Sequence, residues 1–257
     1  SVVSADGQVG RMPALAAQAV EARPSVIVAF GPDALRETRS RTRIIPIVGA
    51  AAFLEEGFAT TLARPSDNVT GVSLLISELD PKKLEVLRSL LPGVTRIGVL
   101  NDASTSVQDR PALLGEAARR LGLTLTVVDV KVPEDFEPAF EALVRAGAGA
   151  VNVNASTLFA TMRRRIGELS LKHRLPAMCQ WRTMVETGCI ASYGAPLEEM
   201  MDLVAAQVVL VLKGVKPDAI PIMQPRKFEL VLNADVARKL GVAIPPSILI
   251  RADEVIE

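Results

Sequence analysis

Short apolar runs recur along this chain, and nearly every one stops at small or polar residues before a helix-patterned segment begins. VIVAF ends at Gly31-Pro32-Asp33, IIPIV at Gly49-Ala50-Ala51, and RIGVL at Asn101-Asp102-Ala103-Ser104. AVNVN ends at Ala155-Ser156-Thr157 and PAMCQ at Trp181-Arg182-Thr183. Apolar runs bounded in this way read as buried strands. Strand, loop and helix in alternation build parallel sheets, whose ligand-binding loops gather at the carboxyl ends of the strands. The pattern therefore predicts an α/β fold with candidate function in those loops.

A helix is expected over 11–23, with Met12, Leu15, Ala16, Ala19 and Val20 on one face, followed by a strand at Val26–Phe30. Ile44–Val48 is the next strand; Pro46 places it where one backbone donor is dispensable. Asn68–Leu75 is extended after the Pro65-Ser66-Asp67 turn. Pro81 is expected in the first turn of a helix that buries Leu84, Leu87, Leu90 and Leu91 and closes at Pro92-Gly93. A second round starts at Arg96. Strands are expected at 96–100, Thr124–Val130, Gly149–Val153, Leu175–Gln180 and Cys189–Tyr193. The helices between them bury Leu114 and Ala117, then Phe136 and Phe140, then Ile166 and Leu169. A long helix runs from Pro196 to Lys213, and the tail is a strand whose last residue, Asn233, caps a helix stopped by Gly241.

With 257 residues the chain can form two lobes of ordinary size. Its 29 basic and 29 acidic residues cancel, which argues against a surface shaped throughout for nucleic acid or anionic lipid. The greasiest stretch, Leu203–Leu212, contains Gln207 and is too short to cross a bilayer, so it reads as a buried helix. The chain opens at Ser1 with no basic start and apolar core, so no signal peptide is expected in this sequence; a mature secreted protein reads the same way. Cys179 and Cys189 leave the redox compartment open. They flank a short helix in adjoining strands, and the geometric demands of a disulfide weigh against pairing without excluding it.

Several phrases resemble the ABC transporter substrate-binding family that includes tryptophan- and tyrosine-type uptake proteins. They are MPALAAQAVEARPSVIVAFG, LARPSDNVTGVSLL, KKLEVLRSLLPGVTRIGVLND, RRRIGELSLKHRLPAM, ETGCIASYGAPLEEM and the tail from Gln224 to Glu257. The resemblance implies a type I periplasmic-binding-protein fold of two Rossmann-like lobes with parallel sheets flanked by helices. Residues 1–92 and 193–224 would form one lobe, and 93–192 with 225–257 the other. It implies capture of a solute between closing lobes, an ABC permease as membrane partner, and a periplasmic or extracellular location, with anchoring before processing left open. Two departures stand out. The chain enters at what resembles the family's second strand, SVVSADG, so the first strand and helix of the pattern are not in it. Ser156-Thr157 stands where members often carry Asp-Pro, and Pro196 where Asn is common, which turns the expected solute from a free amino acid toward an organic anion with an apolar or aromatic body.

Gly31, Pro32 and Asp33 stand at a strand end and helix start, where free N–H groups and the helix dipole favour a carboxylate or phosphate. Ala50 and Ala51 end the next strand. In the other lobe Asn101, with Ser104, Thr105 and Ser106, and then Ser156 with Thr157 occupy equivalent places; capping their own helices is the competing role. Phe30, Trp181 and Tyr193 are the aromatic candidates for an apolar solute body. Phe58 and Phe159 read as packing inward, and Phe136, Phe140 and Phe228 as core. The basic runs Arg36–Arg43 and Arg163–Arg165 read as solvated faces, lacking aromatic interleaving. His173 reads as a partner of a helix carboxyl end. No metal cluster, nucleophile elbow or phosphate loop is recognisable, so no catalysis, cofactor, metal or nucleic acid is expected, and the molecule should be a monomer or weak dimer. An effector-binding domain of a regulator on the same fold is the alternative, and a two-lobed racemase-like enzyme a further one.

Overall fold

A computed structural model describes residues 2–65, 67–105, 107 and 109–257. Strands and helices alternate from the start: α1 (Met12–Glu21), β1 (Ile27–Phe30), α2 (Pro32–Arg41), β2 (Ile47–Ala51), β3 (Val69–Ser73) and α3 (Ile76–Leu90). Then come β4 (Arg96–Asp102), α4 (Arg110–Leu121), β5 (Thr124–Val130), α5 (Phe136–Arg145), β6 (Ala150–Val153), α6 (Thr157–Thr161) and α7 (Arg163–Lys172). The chain closes with β7 (Ala177–Cys179), α8 (Arg182–Val185), β8 (Ala191–Gly194), α9 (Leu197–Leu212), β9 (Glu229–Asn233), α10 (Ala234–Leu240), α11 (Pro246–Leu249) and β10 (Glu254–Ile256).

Local chemistry explains most boundaries. Asn233 Oδ1 accepts from Val236 N at 2.8 Å and so starts α10, while Gly241, at φ 71°, ends it in the left-handed conformation. Three expectations shift. Strand β2 begins only after Pro46, leaving Ile44 90% exposed, because proline supplies no ladder donor. Helix α3 starts at Ile76, so Pro81 lies in its interior, past the first turn, and its missing N–H removes one i→i−4 bond from the helix. Residues 2–5 form no strand. Ser66 of the expected turn lies outside the described residues.

The chain divides into two compact units. Unit 1 comprises Ser1–Ile76, Ser104–Gln108 and Leu197–Arg226. Its parallel sheet, in the order β1-β2-β3, is covered on one face by Leu35 of α2 with Phe53 and Phe58, and on the other by Val204 and Val211 of α9. Helix α9 is not the buried helix expected. Val209, Leu210 and Leu212 are exposed, while Gln207 points inward and its amide donates to the carbonyls of Gly71 and Pro221 at 2.9 and 3.1 Å. Its amide nitrogen meets two backbone acceptors there, while its Oε1 has no hydrogen-bond partner among the described residues.

Unit 2 comprises Ser77–Ala103, Asp109–Pro196 and Lys227–Glu257. Its seven strands run in the order β10-β9-β8-β7-β6-β4-β5, and all neighbours are parallel except β8 with β9. Helices α3, α4 and α10 pack on one face, and α5, α6 and α7 on the other. Residues 77–92, expected with the first lobe, pack here: Leu84, Leu87 and Leu90 share a core with Ile97 and Val99 of β4. The apolar periodicity shows that α3 buries a face without saying which sheet receives it.

Candidate functional site

In unit 1 the expected residues cluster at the ends of β1 and β2, where Phe30 pairs with Ala50 in register. Gly31 turns the chain into α2 at φ 87°, a conformation glycine adopts without strain, and its N–H donates to Ala50 O at 2.8 Å. The Ala51 carbonyl accepts from Leu74 N, and both alanine side chains are buried, so these two residues shape the site more than they offer it polar groups. Pro32 brings no donor to the first turn. Asp33 places a carboxylate there, 3.0 Å from Arg36, so the positive end of the helix already faces a negative charge of the protein's own. Phe30 is 40% exposed and offers an open ring.

In unit 2 the expected polar residues divide by role. Ser156 caps α6, accepting from Phe159 N at 3.3 Å, and its hydroxyl donates to buried Asp102. Thr157 opens α6 and is exposed. Ser104 and Thr105, which the packing groups with unit 1, are half-buried and do not cap α4, whose N-cap residue is Asp109; Ser106 lies outside the described residues. Tyr193 stacks on Phe228 with centroids 6.4 Å apart, so Phe228 is a half-buried neighbour of the strand ends and not core. Trp181 packs its ring against the core while its indole nitrogen is buried with no hydrogen-bond partner among the described residues. Phe58 and Phe159 do turn inward, each edge-on to another phenylalanine.

The most polar feature of unit 2 was not anticipated. Asn101 donates to Asp129 at 2.8 Å and accepts from Asn154 at 3.3 Å, and Asn154 accepts from Asn152 at 3.1 Å. Beneath this amide chain Asp80 binds Arg110 at 2.8 Å and Lys83 at 3.0 Å, all three residues buried. Lys83 also donates to Val153 O at 3.0 Å and Arg110 to Ala155 O at 3.5 Å, so the ion cluster holds the loop after β6. Burial pushes the Lys83 ammonium below its ordinary value, against the pull of Asp80. The signals were present. Asn152 and Asn154 alternate inside an apolar strand, and Lys83 lies on the helical face of Leu87 and Leu90.

Cys179 and Cys189 are joined in a disulfide with Cα atoms 6.4 Å apart, which answers the open pairing question. The geometric demands weighed against pairing from the sequence alone; the return of the chain after α8 meets them. The basic runs are ion-paired faces: Arg36 with Asp33, Arg41 with Glu37, Arg39 and Arg43 with Asp67, and Arg165 with Glu137. His173 ends α7 and lies 3.2 Å from Glu137 with its ring on Phe140. Among the described residues no group of acids, histidines or cysteines is arranged to hold a metal ion, and no helix is long and apolar enough to cross a membrane.

Parallel-stranded units with polar residues gathered at strand ends define a fold that binds small molecules at those ends. The chain belongs to the ABC transporter substrate binding protein family, whose model matches residues 2–256. It is thus of the class that binds solutes for ABC importers. Its backbone is similar to a conserved domain protein from Vibrio cholerae (24% identity, 96% of this chain and 83% of that one, TM-score 0.87). It is also similar to an ABC domain from Streptococcus pneumonia solved with L-Trp (24%, 96% and 86%, TM-score 0.84). CD0873 from Clostridium difficile, a substrate binding protein with adhesive properties, is a further likeness (20%, 96% and 83%, TM-score 0.64). No match to a curated protein is found.

Proposed function

We propose that this chain captures a small organic solute, a carboxylate with an apolar or aromatic body or an amino acid, and delivers it to an ABC permease. The family match over nearly the whole chain carries the reading. The candidate solute-contacting residues, which act without covalent chemistry, are Asn101, Trp181 and Tyr193 with the Ser156-Thr157 loop in unit 2, and, in unit 1, Phe30 with the start of α2. Ser104 and Thr105 join them. Ala50 and Ala51 shape the floor. The L-Trp bound to the Streptococcus pneumonia structure supports an aromatic solute body. A buried disulfide suits the periplasm or the cell exterior, since reducing compartments keep thiols free. The protein works there as a monomer or weak dimer.

The test is a set of thermal melts against amino acids, aromatic carboxylates and aliphatic acids, followed by emission from Trp181, the only tryptophan. A true solute raises the melting temperature and perturbs that emission. Silence across all three classes overturns the proposal.

A further inference from the structure

The carboxyl edge of the unit 2 sheet carries a hydrogen-bond chain with one direction and an acceptor that the chain leaves out. Continuing the strand registers by one or two positions sets Asp129, Asn101, Asn154, Gln180 and Tyr193 in a single row across β5, β4, β6, β7 and β8. The Asp129 carboxylate only accepts, so the neighbouring amide must turn its NH2 toward it. That choice propagates: Asn101 Nδ2 donates to Asp129, Asn154 Nδ2 to Asn101, and Asn152 Nδ2 to Asn154. The two links across strands each spend a donor in the direction of β5, and the link from Asn152 runs along β6 to join them.

Gln180 is the next member of the row, and no link reaches it. The residue is 3% exposed, yet its Oε1 has no hydrogen-bond partner among the described residues; Oδ1 of fully buried Asn152 is in the same condition. Lys83 is directed to Val153 O and Asp80, and Arg110 to Asp80 and Ala155 O. Buried acceptors are normally satisfied; Gln207 Oε1 and Asn68 Oδ1 of unit 1 are also unmet, but Gln180 Oε1 is the unmet acceptor that stands in the strand-end row. Tyr193, beside Gln180 in the row, brings an aromatic ring for an apolar body.

We infer that Gln180 is a specificity-determining residue of unit 2, its Oε1 accepting a hydrogen bond from an N–H or O–H of the solute. The inference rests on the solute-capture reading and narrows it: a bare carboxylate brings only lone pairs to this acceptor, whereas an amino acid, amide or hydroxylated compound brings the donor. It reverses the weight that the loss of an acid at Ser156 placed on plain organic anions.

The experiment uses matched pairs that share a body and differ in the donor: indole-3-propionate with L-tryptophan, 3-phenylpropionate with L-phenylalanine, and benzoate with benzamide. Titration calorimetry on the native chain should show the donor-bearing member of at least one pair binding about tenfold tighter or more. Gln180→Leu should bring that pair to within about threefold, with circular dichroism confirming the fold. Gln180→Glu keeps the acceptor and adds charge, so it should preserve the preference and tighten the ammonium compounds relative to benzamide. A preference unchanged in Gln180→Leu means that water satisfies Gln180, and the inference fails. If the leucine variant does not fold, the glutamate variant decides, and absence of ammonium-selective tightening overturns the inference. Binding with no donor preference in the native chain sinks this inference alone. No binding by any member of any pair sinks the capture reading, and this inference with it.

Discussion

Asp80 shares its carboxylate between two buried cations, and removing one buried partner of such a set costs more than the pairing itself contributes. Asp80→Ala should therefore lower stability by about 3–5 kcal/mol in urea denaturation, since it strands Lys83 and Arg110 in the interior. Lys83 adds a pH dependence. Its ammonium titrates below the ordinary 10.5 in the folded chain, so between that lowered value and 10.5 the unfolded chain binds more protons and stability rises with pH. Lys83→Met should flatten that alkaline rise, read from urea midpoints taken through that range. Packing is as exacting as charge at one glycine. A Cβ on Gly167 would lie 1.8 Å from the Thr187 carbonyl, so Gly167→Ala should cost about 1–3 kcal/mol or more as α7 is pushed off the loop it touches.

That loop, from Cys179 to Cys189, is held at several points. The disulfide closes it, Asn233 Nδ2 donates to Val185 O at 3.0 Å, and Arg182 on α8 reaches Glu254 of β10 with two bonds of 2.7 Å. Gln180 and Trp181 thus ride on a braced element, which is what a site needs if its side chains are to stay in place. Closing a loop of this size stabilises by about 2–3 kcal/mol on chain-entropy grounds. Replacing both cysteines by alanine should lower the unfolding free energy by that amount and make stability insensitive to reductant. Unchanged stability would show that the sulfurs are not linked. The hydrogen bond from Arg182 holds the Glu254 carboxyl below its ordinary 4.5. This stabilisation is present above 4.5 and lost as pH falls through the lowered value, so Glu254→Gln should weaken the acid dependence of unfolding.

For the molecule as a whole, a solute that binds only the folded chain stabilises it by mass action, about 2.7 kcal/mol at a hundredfold excess over Kd. Melting temperature should climb with the logarithm of solute concentration, checked by calorimetry.

The order of strands and helices was legible in the chain because apolar runs and capping residues are local signals: Asn233 and Gly241 bound α10 by their own backbone chemistry. The apolar face of α3 was equally legible, but the sheet that receives it was not, since periodicity names a face and leaves its partner open. Much of the candidate site escaped for the same reason. Trp181 and Tyr193 were visible as aromatics at strand ends, whereas Gln180 gains meaning only from its place in a row assembled from five strands far apart in sequence. Hydrogen-bond satisfaction, burial of charge and the joining of Cys179 to Cys189 depend on distances between segments. Those distances exist only once the sheet has closed its registers, and there the tertiary structure decided.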